Sequence, residues 1–102
     1  MHSQTTDKII PLIQQFFIGK PVKKVFLFGS YARGEETENS DIDLLVTYDE
    51  SNSLSLLSIC RMMNDLSDQL GHQVDMVEEG RLLPFAVQSM EKDKILIYER
   101  NN

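Results

Sequence analysis

The chain has one cysteine and no tryptophan, no long apolar run and no surplus of positive charge. With Cys60 alone, no internal disulfide can form, so the fold must rest on packing and the chain reads as cytoplasmic. The longest apolar runs are a handful of residues, far short of the roughly 20 needed to cross a bilayer, which excludes a membrane helix. The N-terminus opens with polar MHSQTTDK where a secretory signal would be basic and then apolar. Sixteen acidic residues outweigh ten basic ones, for a net charge of −6. That balance speaks against a direct grip on nucleic acid, which needs a basic face. It leaves room for a nucleotide if metal ions supply the positive charge, and otherwise serves solubility.

What is present is ordinary globular material: 41% hydrophobic and 25% charged residues over 102 positions. That is enough for one modest core, so residues 1–102 are expected to form a single domain. No repeat, low-complexity stretch or linker divides it. In DKIIPLIQQFFIGK, Ile9, Ile10, Leu12, Ile13, Phe16 and Phe17 make a broad stripe at helical spacing. Thr6 is placed to cap this helix, with Pro11 near its first turn and Gly19 and Pro21 closing it. VKKVFLFG, ending at Gly29, suits a central strand buried on both faces, with Phe26 and Phe28 in the core.

SYARGEE follows as a short helical turn, ETENS as a polar loop and DIDLLVTY, from Asp41, as a second strand. Residues 53–71 form an amphipathic helix with apolar positions at 54, 56, 57, 60, 63, 66 and 70, Cys60 among them, and glycine at its end. HQVDMVEE is a third strand, residues 83–92 a further helix, and ILIYE a last short strand or extended tail. The expected class is α/β (α+β), a small mixed β-sheet packed against helices.

The segment GSYARGEETENSDIDLLV (29–46) carries the chemistry. Gly29 and Ser30 close a strand and open a helical turn. There glycine admits a ligand close to the backbone, while the turn's N–H groups and the Ser30 hydroxyl favour an anion such as phosphate. Arg33 adds a planar fork suited to phosphate or carboxylate. Strand alternation puts Asp41 and Asp43 on one face, which turns from acidic to apolar at Leu45, while Ile42, Leu44 and Val46 make the other face apolar throughout. Two adjacent carboxylates repel one another. A hard divalent cation, Mg²⁺ or Mn²⁺, relieves the repulsion; the competing reading is a charged edge that deters aggregation.

Asp75 decides between them. Flanked by Val74 and Met76, it turns its carboxylate away from its buried neighbours. If its strand lies beside the second, three carboxylates meet on one sheet face. That is the layout for two bridged metal ions roughly 3.5–4 Å apart, clamping an in-line phosphoryl displacement. Asp75 would then hold the catalytic metal and accept the nucleophile's proton.

This segment resembles the signature of the DNA polymerase β-type nucleotidyltransferase superfamily, glycine-serine followed by a D-x-D pair. ARG after the glycine-serine, the SDIDLLV phrase and the short chain are similar to its minimal nucleotidyltransferase (MNT) branch. The resemblance runs from about Val22 to Tyr98. It implies a nucleotidyltransferase fold, with Gly29 and Ser30 at the nucleotide, Asp41 and Asp43 as the metal pair and Asp75 as the third carboxylate. It further implies transfer of AMP from ATP to a hydroxyl, typically of a tyrosine, on a HEPN-domain toxin. The chain would then be the antitoxin of a two-gene module and a hetero-oligomer with its toxin. Two other functions stay open: an antitoxin that neutralises by stoichiometric contact alone, and a small-molecule transferase of the aminoglycoside-modifying kind. Against the latter, little chain is left for a small-molecule acceptor pocket.

Several residues are read as structural. Tyr31 can stack on a base but fits a surface position better, and His72 opens the third strand. RLLPFAVQSM (81–90) packs in the core or against a partner. Glu78 and Arg81 lie where they can border the site, without further support.

Overall fold

The structure, a computed structural model, describes residues 4–49, 55–78 and 93–100. Among these residues the elements run in the order α1 (Gln4–Phe17), β1 (Val22–Phe28), α2 (Ser30–Arg33), β2 (Ile42–Tyr48), α3 (Leu56–Leu70), β3 (Val74–Glu78) and β4 (Ile95–Glu99). The strands form one sheet in the order β3-β2-β1-β4. β1 pairs antiparallel with β2 and β4, whereas β2 pairs parallel with β3. The sheet is therefore mixed, and the parallel pair needs the crossover that α3 supplies. Among the described residues no helix is long and apolar enough to cross a membrane. The helix expected at residues 83–92, and with it the RLLPFAVQSM segment and Arg81, lies outside the described residues.

Register makes one sheet face continuous. Val25 pairs with Val46 and Leu27 with Leu44, and Ile42 pairs with Val74. All six are fully buried. α1 and α3 cover this face, with Ile9, Ile13, Phe16, Phe17, Met62 and Leu66 in the same core cluster. The α1 stripe at i, i+4, i+7 and i+8 is what the core uses, and Leu12, off that line, stays 51% exposed.

Three local expectations are corrected. α1 begins at Gln4, so Thr6 lies inside the helix instead of capping it, and Pro11 sits at its eighth position. Thr6 is fully buried, and its hydroxyl donates to the Tyr31 carbonyl at 2.8 Å. β1 is central in the sheet, but Phe26 and Phe28 are only half-buried, because among the described residues α1 and α3 pack on the other face. The Lys94 ammonium stands 4.4 Å from the Phe26 ring centre. α3 buries Met62 and Leu66 and leaves Leu56 and Leu57 exposed. Its apolar residues fall on more than one helical stripe, and packing selects the one that faces the sheet. Cys60 is half-buried on this helix.

α3 has defined ends. The Ser55 hydroxyl accepts from the Ser58 N–H at 3.1 Å, and the Gly71 N–H donates to the Ser67 carbonyl at 2.8 Å. The Ser67 hydroxyl also accepts from the Val74 N–H at 3.0 Å. This last contact ties the helix end to the start of β3 and so fixes where β3 enters the sheet.

Candidate active site

Asp43 and Asp75 lie on the sheet face opposite the one that α1 and α3 cover. They are paired in the parallel β2–β3 register, and Phe28, the last residue of β1, pairs with Asp43 from the other side. Adjacent strands are about 4.8 Å apart, so the two carboxylates start from neighbouring backbone positions on the same face. β2 and β3 are neighbours, as expected, and this brings Asp43 and Asp75 to one register position. Asp41 is exposed one step before β2. The Ile42 N–H donates to the Gln73 carbonyl at 2.8 Å, which anchors the β2 entry between Asp41 and Asp43.

Electrostatics agree with this placement. Asp43 is half-buried and its pKa is raised, first by burial and then by the charges of Asp75 and Asp41, with Arg33 acting in the opposite sense. Asp43 is therefore the carboxylate of the three on which burial and its neighbours' charges bear together. Among the described residues no three His, Cys, Asp or Glu side chains are grouped closely enough to hold a metal ion. The all-oxygen chemistry of Asp41, Asp43 and Asp75 is of the kind that suits a hard divalent ion.

Gly29 serves this cluster in a way that the sequence did not disclose. Its φ is 76° and its ψ −154°, a backbone region that strongly favours glycine. A Cβ built there would stand 2.5 Å from Asp43 Oδ2. The missing side chain makes room for the Asp43 carboxylate, as well as for any ligand that approaches the turn. After Gly29, α2 makes a single turn, with the Ala32 and Arg33 N–H groups donating to the Gly29 carbonyl at 3.1 and 3.2 Å. Ser30, half-buried, starts that turn beside the acidic face.

Arg33 is exposed and ion-paired to Glu35 and, at 3.3 Å, to Asp93. Its charge reaches Asp43, so it borders the site, but it must exchange carboxylate partners to meet a phosphate. Between α2 and Asp41 the chain turns on Thr37 and Ser40. The Thr37 N–H donates to the Ser40 hydroxyl at 2.8 Å, and the Ser40 N–H donates to the Thr37 carbonyl at 3.1 Å. This small closed turn delivers Asp41, and only the polarity of ETENS hinted at it.

Two further readings are corrected. Tyr31 is not on the surface: it is 1% exposed, held inward by the bond from Thr6 to its carbonyl. Glu78 pairs with Val46, three positions along β3 from Asp75. Its charge adds to burial in pushing the Tyr48 pKa up to about 12, so it belongs to the far end of the sheet.

Comparison with known proteins agrees with this fold. Residues 7–102 match the family described as Polymerase beta, Nucleotidyltransferase. A Methanocaldococcus jannaschii protein, provisionally named a protein adenylyltransferase, is 42% identical over 77 residues, covering 74% of this chain and 77% of its own length. A solved structure provisionally described as a minimal nucleotidyltransferase superposes with a TM-score of 0.74 at 33% identity, covering 93% of this chain and 95% of that one. The fold also matches, with a TM-score of 0.61 at 21% identity, a chain from the structure of a tri-AMPylated Shewanella oneidensis HEPN toxin in complex with an MNT antitoxin, covering 94% of this chain and 71% of that one.

Proposed function

The chain belongs to the polymerase β nucleotidyltransferase family, and from that premise we propose that it transfers AMP from ATP to a hydroxyl, a tyrosine's, on a HEPN-domain toxin and so acts as the antitoxin. The observation that carries the reading is the Asp43–Asp75 register pair, with Gly29 left without a side chain beneath Asp43. The relative named for protein adenylylation and the tri-AMPylated toxin in the complex of similar fold support the choice of donor and acceptor.

Asp41, Asp43 and Asp75 are the residues that would hold divalent metal, Mg²⁺ or Mn²⁺. When bound, such ions neutralise the triphosphate and steady the charge that develops at the α-phosphorus. Gly29 and Ser30 bind and orient the phosphates through backbone N–H groups and a hydroxyl. Asp75 accepts the proton of the attacking hydroxyl at its carboxylate. The acceptor oxygen bonds to the α-phosphorus as the bond from that phosphorus to the pyrophosphate oxygen breaks, and pyrophosphate leaves. Arg33 stands where it can exchange Glu35 and Asp93 for a phosphate oxygen.

The test is to incubate the protein with its HEPN partner, ATP and Mg²⁺, and to read the partner's intact mass alongside its ribonuclease activity. The expected result is a mass gain of one or more AMP units with loss of ribonuclease activity. A partner that is inhibited yet unmodified would replace this reading with inhibition by contact. Full protection by an Asp41→Asn, Asp43→Asn double variant would do the same.

A further inference from the structure

Beside the acidic cluster lies a second feature that the transfer reaction does not use. A pocket of about 440 Å³ is lined by Tyr31, Glu36, Thr37, Glu38 and His72. Tyr31 is 1% exposed. Neither its hydroxyl nor the buried Oε1 of Glu36 has a hydrogen-bond partner among the described residues. Two such atoms left unpaired are costly, and native folds rarely keep them so. The Glu36 charge is near enough to add to burial in raising the Tyr31 pKa, yet no hydrogen bond joins the two groups. The His72 ring, also in the lining, stands edge-on to Tyr31 at 6.1 Å between centres and 73° between planes.

We propose that this pocket binds an alkylammonium or guanidinium group, seated between the Tyr31 hydroxyl and the Glu36 carboxylate. Both groups accept hydrogen bonds, and their partner must bring at least two N–H donors on one small head. Two carboxylates, Glu36 and Glu38, line the pocket, and its described lining residues include no lysine or arginine. A bridging water would satisfy the two atoms but leave that charge unbalanced. A neutral purine would leave it unbalanced as well. A cation meets both demands, and its bonds to a carboxylate are charge-assisted.

The pocket's position gives it a consequence. Glu36, Thr37 and Glu38 belong to the loop that delivers Asp41, and His72 precedes the strand that carries Asp75. An occupant therefore touches both approaches to the acidic cluster without being one of its ligands. The same chemistry can come from a free polyamine or from an arginine or lysine side chain of a protein that docks on this edge.

The experiment is an NMR titration of the isotope-labelled protein with methylguanidinium chloride, against sodium chloride at matched ionic strength. Saturable shifts at Tyr31, Glu36, Thr37 and His72 that sodium does not produce are expected. Glu36→Gln should weaken the affinity tenfold or more, of the order expected for losing a charge-assisted bond. Tyr31→Phe, which removes only an unpartnered O–H, should weaken it by a smaller factor and keeps the test open should the Glu36 variant fail to fold. Parallel titrations with spermidine and with a short arginine-bearing peptide identify the source by which binds more tightly, and either order supports the site. The proposal is overturned if no shift saturates, if sodium reproduces the shifts, if both variants bind like wild type, or if adenosine perturbs these residues and the cations do not.

Discussion

Asp43 and Asp75 face one another across the parallel β2–β3 ladder, and the place where Gly29 would carry a Cβ lies 2.5 Å from Asp43 Oδ2. Three strands thus meet at one carboxylate: β2 supplies it, β3 sets a like charge beside it, and Gly29, directly after β1, leaves it space. Burial and the two neighbouring aspartates raise its pKa, so the cluster is assembled against its own electrostatics.

Gly29→Ala should damage both fold and reaction. The positive φ costs about 1–3 kcal/mol in a residue with a side chain, and the added methyl must displace Asp43 Oδ2. Thermal unfolding should report the first effect. A transfer assay below the variant's melting temperature should report a further loss of tenfold or more. Normal transfer by a folded Gly29→Ala protein would show that the carboxylate does not need that position.

Asp43→Asn should stabilise the metal-free protein at neutral pH while abolishing transfer. The folded state holds a proton on Asp43 more tightly than the unfolded chain, whose carboxyl titrates near about 4. Its contribution is therefore fully favourable below that value and is lost as pH rises through the raised folded value. In chelator, the melting temperature of the variant should exceed that of wild type at about pH 7, and the gap should close on acidification. A gap that widened in acid would reverse the assigned sign.

Thr6→Val should cost about 1 kcal/mol, the loss of the bond to the Tyr31 carbonyl with the volume kept. Because that bond holds α2 inward, transfer should fall by a small factor in step with stability. Denaturant unfolding and the transfer assay together check this.

Leu44→Ala separates core from chemistry. Leu44 is fully buried between Leu27 and Met76 in register, and truncation should cost about 2–5 kcal/mol. It should lower the denaturant midpoint, while the folded fraction keeps near-normal transfer, since the opposite face carries the aspartates.

Much of this was legible in the chain. Strand alternation put Asp43 and Leu45 on one face and Ile42, Leu44 and Val46 on the other, and Val74 and Met76 turned Asp75 the same way as Asp43. These signals are local and periodic, so they survive without tertiary information. What escaped depended on contacts distant in sequence. Thr6 looked like a cap because its use, the carbonyl of Tyr31, is 25 residues away. Tyr31 looked superficial because a one-turn helix has no periodicity to reveal its buried side. Leu56 and Leu57 looked like core because α3 carries more than one apolar stripe, and only the sheet selects among them. Gly29 was singled out for close approach by a ligand, whereas its closest neighbour, Asp43, could be named only from the β1–β2 register.

The most direct test of the account is the intact mass of the HEPN partner after incubation with ATP, Mg²⁺ and either wild type or Asp43→Asn. AMP-sized mass gains with wild type, and none with a folded Asp43→Asn protein, are the predicted result. An unmodified partner with both proteins, or equal modification by both, would contradict the assignment of transfer to this carboxylate cluster.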